Sequence, residues 1–209
     1  MKKITTIIFD LGGVIFAQSF EKAIEHFKTI GVVNADKLLD PFAQAGYFGD
    51  LESGAITDEQ YRQMLSKEAG KELTVEDCVY AWTGYVDHLP QHNLDALRRL
   101  RQAGYRLVLL SNTNPFMMRW AMSNKFDGNG GSLRDYFDAC YLSYECRMMK
   151  PSPEIFKHLL LQERLSPDEA IFVDDSPTNA EAARKLGIMT ICPQNNADWT
   201  EELFTQLEI

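Results

Sequence analysis

From residue 90 onward, short apolar runs alternate with segments of helix length, and no other feature constrains the fold so tightly. The runs are Arg106-Leu107-Val108-Leu109-Leu110-Ser111, Asp138-Ala139-Cys140-Tyr141-Leu142-Ser143, Ile171-Phe172-Val173-Asp174-Asp175 and Met189-Thr190-Ile191-Cys192. Helix patterns fall at 93–102, 153–162, 177–186 and 198–207; Gly104 and Gly187 close two of them, and Pro153 and Pro177 open two. Strands separated by helices predict βαβ units with right-handed crossovers, hence a parallel sheet covered on both faces.

A further run lies near the start, Ile7-Ile8-Phe9-Asp10-Leu11-Gly12-Gly13-Val14. An apolar run this short, closed by glycines, reads as a strand buried on both faces. Asp10 then stands at the strand's carboxyl end, where open parallel sheets gather their ligands, and the glycines allow a tight turn beside it.

The stretch between this run and residue 88 has helical texture. Phe20, Ala23, Ile24, Phe27 and Ile30 share one face of a helix over 20–30 that Gly31 ends. Thr57 followed three residues later by Gln60 is a capping pattern opening a second helix, which Gly70 closes, and Thr74 opens a third running to Val86. No strand-like run interrupts this region, and Gly49-Asp50-Leu51-Glu52-Ser53-Gly54 reads as a loop between helices that could reach over the sheet's edge. The expected organisation is an α/β Rossmann-like core of 1–15 and 88–209 with a helical insertion at 16–87. The stretch 124–132, with Gly128, Gly130 and Gly131, is the clearest loop of the core.

A chain of 209 residues, 45% of them hydrophobic, can bury such a core. Its formal charge of -9 speaks against a nucleic-acid partner, which recruits Lys/Arg-rich faces. Cys78, Cys140, Cys146 and Cys192 show no zinc spacing, and two lie in strand-like runs, as reduced thiols would. No apolar stretch reaches membrane-spanning length. Met1-Lys2-Lys3 carries the charge of a signal segment, but the apolar run after it is too short, so a cytoplasmic protein is expected.

Taking the residue past each strand yields Asp10, then Ser111, Asn112 and Thr113, then Asp174 and Asp175, with Lys150 before Pro151. Each alone is ordinary turn or capping chemistry. Three carboxylates at one edge repel strongly, and a hard divalent cation held by oxygen ligands, Mg²⁺ above all, is the natural compensation. Lys150 suits phosphoryl oxygens or a neighbouring carboxylate.

In this order the pieces resemble the haloacid dehalogenase (HAD) superfamily. The match comprises Asp10-Leu11-Gly12-Gly13-Val14, Ser111-Asn112-Thr113, Lys150-Pro151, and Val173-Asp174-Asp175-Ser176 with Asn179. It spans nearly the whole chain and is similar above all to bacterial sugar-phosphate phosphatases of the α-D-glucose-1-phosphate phosphatase kind. The resemblance implies a three-layer core with strand order 5-4-1-2-3 and a helical cap. It implies a Mg²⁺-dependent phosphatase for a small phosphorylated metabolite, a sugar phosphate, working as a monomer or homodimer without nucleic acid or membrane. Asp10 would be the nucleophile, forming an aspartyl-phosphate; Asp10, the Gly12 carbonyl and Asp175 would hold the metal, with Asp174 close by. Ser111, Asn112 and Lys150 would bind the phosphoryl group, and Glu52 would reach the substrate from the cap.

One departure stands out. Most phosphatases of this superfamily carry a second aspartate two residues after the nucleophile, as general acid and base, and here that position is Gly12. His26, Glu52 and water are the candidate substitutes. The gap leaves two alternatives, a haloacid dehalogenase and a catalytically idle phosphometabolite-binding protein. Trp82, Tyr85, Phe116 and Trp120 are candidates for the pocket wall or the core.

Overall fold

The computed structural model describes residues 3–40 and 44–209; the Met1-Lys2 part of the signal-like segment lies outside them. In chain order the elements begin with β1 (Thr6–Phe9), β2 (Ala17–Gln18), α1 (Phe20–Thr29) and α2 (Ala35–Leu38). There follow α3 (Gly46–Glu52), α4 (Asp58–Ala69), α5 (Val75–Thr83), β3 (Val86–His88), α6 (Gln91–Gln102) and β4 (Arg106–Ser111). The rest are α7 (Pro115–Ala121), β5 (Ala139–Leu142), α8 (Ser143–Cys146), α9 (Pro153–Glu163), β6 (Ala170–Val173), α10 (Pro177–Lys185), β7 (Met189–Ile191) and α11 (Thr200–Leu207).

Five strands form a parallel sheet in the order β5-β4-β1-β6-β7. Numbered among the core strands alone, this is the expected 5-4-1-2-3 order read from the opposite edge. Alternate residues of each strand serve opposite layers. Ile7, Phe9, Leu107, Leu109, Ile171 and Val173 join the apolar cluster under α6 and α11, whereas Ile8, Val108, Leu110 and Phe172 pack with Ile155, Phe156 and Leu159 of α9. Both faces are therefore dry, which is why the runs are continuously apolar.

The helices between β2 and β3 start where their caps dictate. Thr57 and Thr74 each accept from the backbone of the third helical residue, while Gln60 and Asp77 reach back to the cap, and Gly70 ends α4 in a left-handed turn. Phe27, Phe48, Tyr61 and Trp82 meet there edge-on and tilted. Tyr61 also meets Phe116 of α7 at 5.6 Å, so the apolar cluster continues unbroken from these helices to the sheet.

Several expectations need correction. The region 16–87 is not free of strand: β2 and β3 pair antiparallel where the chain enters and leaves the helices, and α5 stops at Thr83 rather than Val86. Residues 49–52 belong to a helix, α3, because Phe48 and Leu51 are buried against its neighbours. Helix α8 follows β5 directly, α7 starts after residues 112–114 beyond β4, and Cys192 falls just past β7. The glycine-rich loop closes on Asp127, whose carboxylate accepts from the amides of Asn129 and Gly131 and from the Tyr136 hydroxyl. Among the described residues no helix is long and apolar enough to cross a membrane, and the four cysteines are free.

Candidate active site

Strand register assembles the site. Phe9 lies level with Leu109 and with Val173, so the next residue, Asp10, stands beside Asp174, and Ser111 and Asp175 come one step further. The Asp10 amide still donates to the Val173 carbonyl (2.9 Å), and the Asp174 amide to that of Ile191 (3.2 Å). Past Asp10 the turn is pinned from beneath: the buried Trp199 indole and Asn93 amide both donate to the Val14 carbonyl (2.8 and 2.9 Å). Gly13 has φ +72°, and a Cβ there would lie 2.4 Å from Asp175 Oδ2. A residue without a side chain is required to let Asp175 close on this turn.

Lys150 is the hub. Its ammonium lies 2.7 Å from Asp10 Oδ1 and 2.7 Å from Asp174 Oδ2, with 1% of its side chain exposed. Burial alone would lower its pKa, but the two carboxylates together hold it above the ordinary lysine value. Asp174, fully buried, accepts in addition from the Ser176 amide (2.8 Å) and the Asn179 side chain (3.1 Å to each oxygen). It is held on every side by protein donors and anchors Lys150. Asn112, expected to contact substrate, lines the cleft and uses both ends of its side-chain amide on the Lys150 backbone (2.8 and 2.9 Å), so it also positions Lys150. The Ser111 hydroxyl makes one long contact, 3.4 Å to the Asn112 carbonyl, which is weak for O–H···O and leaves it available to a ligand.

Asp10, Asp174 and Asp175 each present a carboxylate oxygen within 4.8 Å of the others. Burial pushes Asp10 up to about 6 despite Lys150, and pushes Asp175 up to about 7, with the charges of Asp10 and Asp174 adding to the effect. Three acids around one lysine leave excess negative charge in a poorly solvated place. The all-oxygen donor set fits a hard divalent cation.

These groups face a cleft of about 450 Å³ lined by Asp10, Gly12, Ser111, Lys150 and Asp175 among others. Across Gly12, Gln18, Ser111 and Asn112 it adjoins a recess of about 90 Å³ that runs under α3 and α5. Glu52, at the end of α3, faces that recess with Gln44, Trp82, Tyr85 and Asn114. Its backbone is tied to the sheet side: the Ser143 hydroxyl accepts from the Thr113 amide (3.0 Å) and donates to the Glu52 carbonyl (2.6 Å). His26 is elsewhere, stacked on Tyr80 with its Nδ1 2.8 Å from the Tyr80 carbonyl. Trp82 and Tyr85 line the recess, whereas Trp120 packs edge-on against Phe16.

Gln18, Asn114, Ser143 and Asn195 were not foreseen from sequence. Asn114 had a legible signal, since an Asn before Pro115 is a helix cap, and its side chain accepts from the Phe116 and Met117 amides (3.1 Å each). Ser143 stands directly past β5, where the strand-end rule could have found it, whereas Gln18 and Asn195 reach the site only through tertiary approach.

Fold and site together define an α/β protein whose sheet edge is built for a hard cation and an oxyanion. Residues 4–187 match the haloacid dehalogenase-like hydrolase family, and the chain belongs to it. A D-ribitol-5-phosphate phosphatase of Bacteroides thetaiotaomicron is 41% identical over 96% of this chain and 97% of its own. A predicted HAD-like family hydrolase from Porphyromonas gingivalis superposes with TM-score 0.91 at 38% identity, covering 100% of both chains. A HAD family enzyme of B. thetaiotaomicron in complex with magnesium and inorganic phosphate superposes with TM-score 0.85 at 37% identity, over 95% of this chain and 98% of that one.

Proposed function

We propose that this chain is a Mg²⁺-dependent phosphatase that hydrolyses a small sugar or polyol phosphate through an aspartyl-phosphate on Asp10. The observation that carries the reading is the bridge of Lys150 between Asp10 and Asp174, with Asp175 alongside, at the mouth of the 450 Å³ cleft. Names and complexes of the relatives support it: one acts on D-ribitol 5-phosphate, and another was solved with magnesium and phosphate.

The carboxylates of Asp10 and Asp175 and the Gly12 carbonyl would hold the cation, with Asp174 behind them. When bound, Mg²⁺ offsets the charge that otherwise keeps an anionic nucleophile from an anionic phosphate. The rest is done by the chain itself. Lys150 and the Ser111 hydroxyl grip the phosphoryl oxygens and turn the phosphorus toward Asp10. An Asp10 oxygen attacks, the phosphorus–oxygen bond to the alcohol breaks, and the alcohol departs. Water then attacks the same phosphorus, frees inorganic phosphate and restores the carboxylate, so one hard displacement becomes two. The helices of 16–87 act as a cap. Their recess mixes Gln18, Gln44, Glu52 and Asn114 with Phe16, Trp82 and Met117, a lining suited to a short polyhydroxylated chain.

The test is phosphate release from ribitol 5-phosphate and p-nitrophenyl phosphate, with and without Mg²⁺, beside Asp10→Asn. The expected result is metal-dependent turnover that the variant reduces to the enzyme-free level. Chloride release from 2-chloropropionate without metal would replace the reading with a dehalogenase, and no turnover of any kind with a binding protein.

A further inference from the structure

In most of the superfamily an acid at position 12 protonates the departing alcohol, and this chain has a glycine there. A Cβ on Gly12 would lie 1.9 Å from Gln18 Nε2 and 2.8 Å from its Cδ, so the Gln18 carboxamide fills the volume such a side chain would enter. A carboxamide does not give up a proton to an alkoxide at neutral pH. The proton must come from another wall of the recess into which the leaving alcohol projects.

That recess is lined by two titratable side chains among the described residues, Glu52 and Tyr85. The Tyr85 hydroxyl donates to the Asp40 carbonyl (3.1 Å) and accepts from Gln44 (2.9 Å), and burial raises its pKa further. Its proton is held. Glu52 is different. Its main chain is locked by Ser143, and its side chain faces the recess together with the buried Asn114 that caps α7. Burial pushes that carboxyl up to about 8, with the charge of Asp10 adding to the rise and the Asn114 hydrogen bond opposing it, so it is protonated at neutral pH.

We infer that Glu52 is the general acid and base of this enzyme, delivered by the cap instead of by position 12. The assignment rests on the phosphatase reading above. As Asp10 attacks, the phosphorus–oxygen bond breaks, its electron pair stays on the leaving oxygen, and that oxygen takes the Glu52 proton. The Glu52 carboxylate then takes a proton from the water attacking the aspartyl-phosphate, which returns Asp10 as carboxylate and releases phosphate.

Leaving groups test this directly. A p-nitrophenolate departs without a proton, whereas the alkoxide of ribitol does not. In the intact protein with Mg²⁺, followed in a single turnover before water attacks the aspartyl-phosphate, Glu52→Gln is expected to slow alcohol release from ribitol 5-phosphate by about 10²–10⁴-fold and to leave p-nitrophenolate release in that first step nearly unchanged. The aryl substrate also shows that the variant is folded. Equal losses in that first step on both substrates, an unchanged first-step rate on the alkyl phosphate, or a rise in KM alone would overturn the assignment. If the parent enzyme turns over neither ester, the phosphatase reading itself falls and takes the assignment with it.

Discussion

At the scale of single residues, the site depends on one buried cation of its own. Lys150 and Asp174 are both almost wholly removed from solvent, and removing one partner of such a pair leaves an uncompensated buried charge. Lys150→Met is therefore expected to destabilise the Mg²⁺-free protein by about 3–5 kcal/mol, measured by urea denaturation at a pH where the carboxylates are ionised. A midpoint like that of the parent would show that the pair carries no such weight. Asp10, Ser111 and Asp175 could be picked out in the sequence because each lies at or within two residues of the end of a readable strand, and Lys150 because Pro151 follows it. Gln18 was not: its side chain enters the site from the start of the helical region, and no spacing rule links it to Gly12. The inverse holds for Asn112, whose position was right and whose side-chain partner was invisible.

Among elements, α3 has the most to teach. A glycine at each end of 49–54 reads as a loop, yet Phe48 and Leu51 find a buried aromatic cluster, and tertiary packing overrides weak local propensity. The turn after it is pressed onto α8: Gly54 has φ +71°, and a Cβ there would lie 2.3 Å from the Tyr144 carbonyl oxygen. Together with the Ser143 hydroxyl this latches α3 to the segments that follow β4 and β5. Ser143→Ala strands the Thr113 amide and the Glu52 carbonyl, a loss of about 1–3 kcal/mol. Faster hydrogen exchange confined to α3 and the segment after β4, with lower kcat/KM, is the expected signature, and exchange unchanged in both would refute the latch. The sheet needed no such help. Its three central strands, β4, β1 and β6, are buried on both sides and therefore readable, whereas β2 and β3 are too short to carry a pattern at all.

For the whole molecule, the clustered acids tie stability, metal and pH together. Asp10 and Asp175 are raised to about 6 and about 7, so the Mg²⁺-free folded state holds protons more tightly than the unfolded chain. By linkage that form loses stability as pH rises from the ordinary carboxylate value of about 4 through about 7. A bound cation requires ionised ligands, so its affinity grows over the same window. The rise in Tm on adding Mg²⁺ is thus expected to be small near about pH 5 and large near about pH 8, in calorimetric scans against EDTA controls. A shift independent of pH would mean that these carboxylates are not where the cation resides.

The unbroken apolar cluster between helices and sheet has its own consequence. Swinging α4 wide of α7 would wet Tyr61 and Phe116 together, each roughly 1.5–3 kcal/mol to expose. Wide separation of the two is thus costly, and on the proposed reading the expected preference, checked by kcat/KM across phosphate esters of increasing size, is for small alcohols over bulky ones.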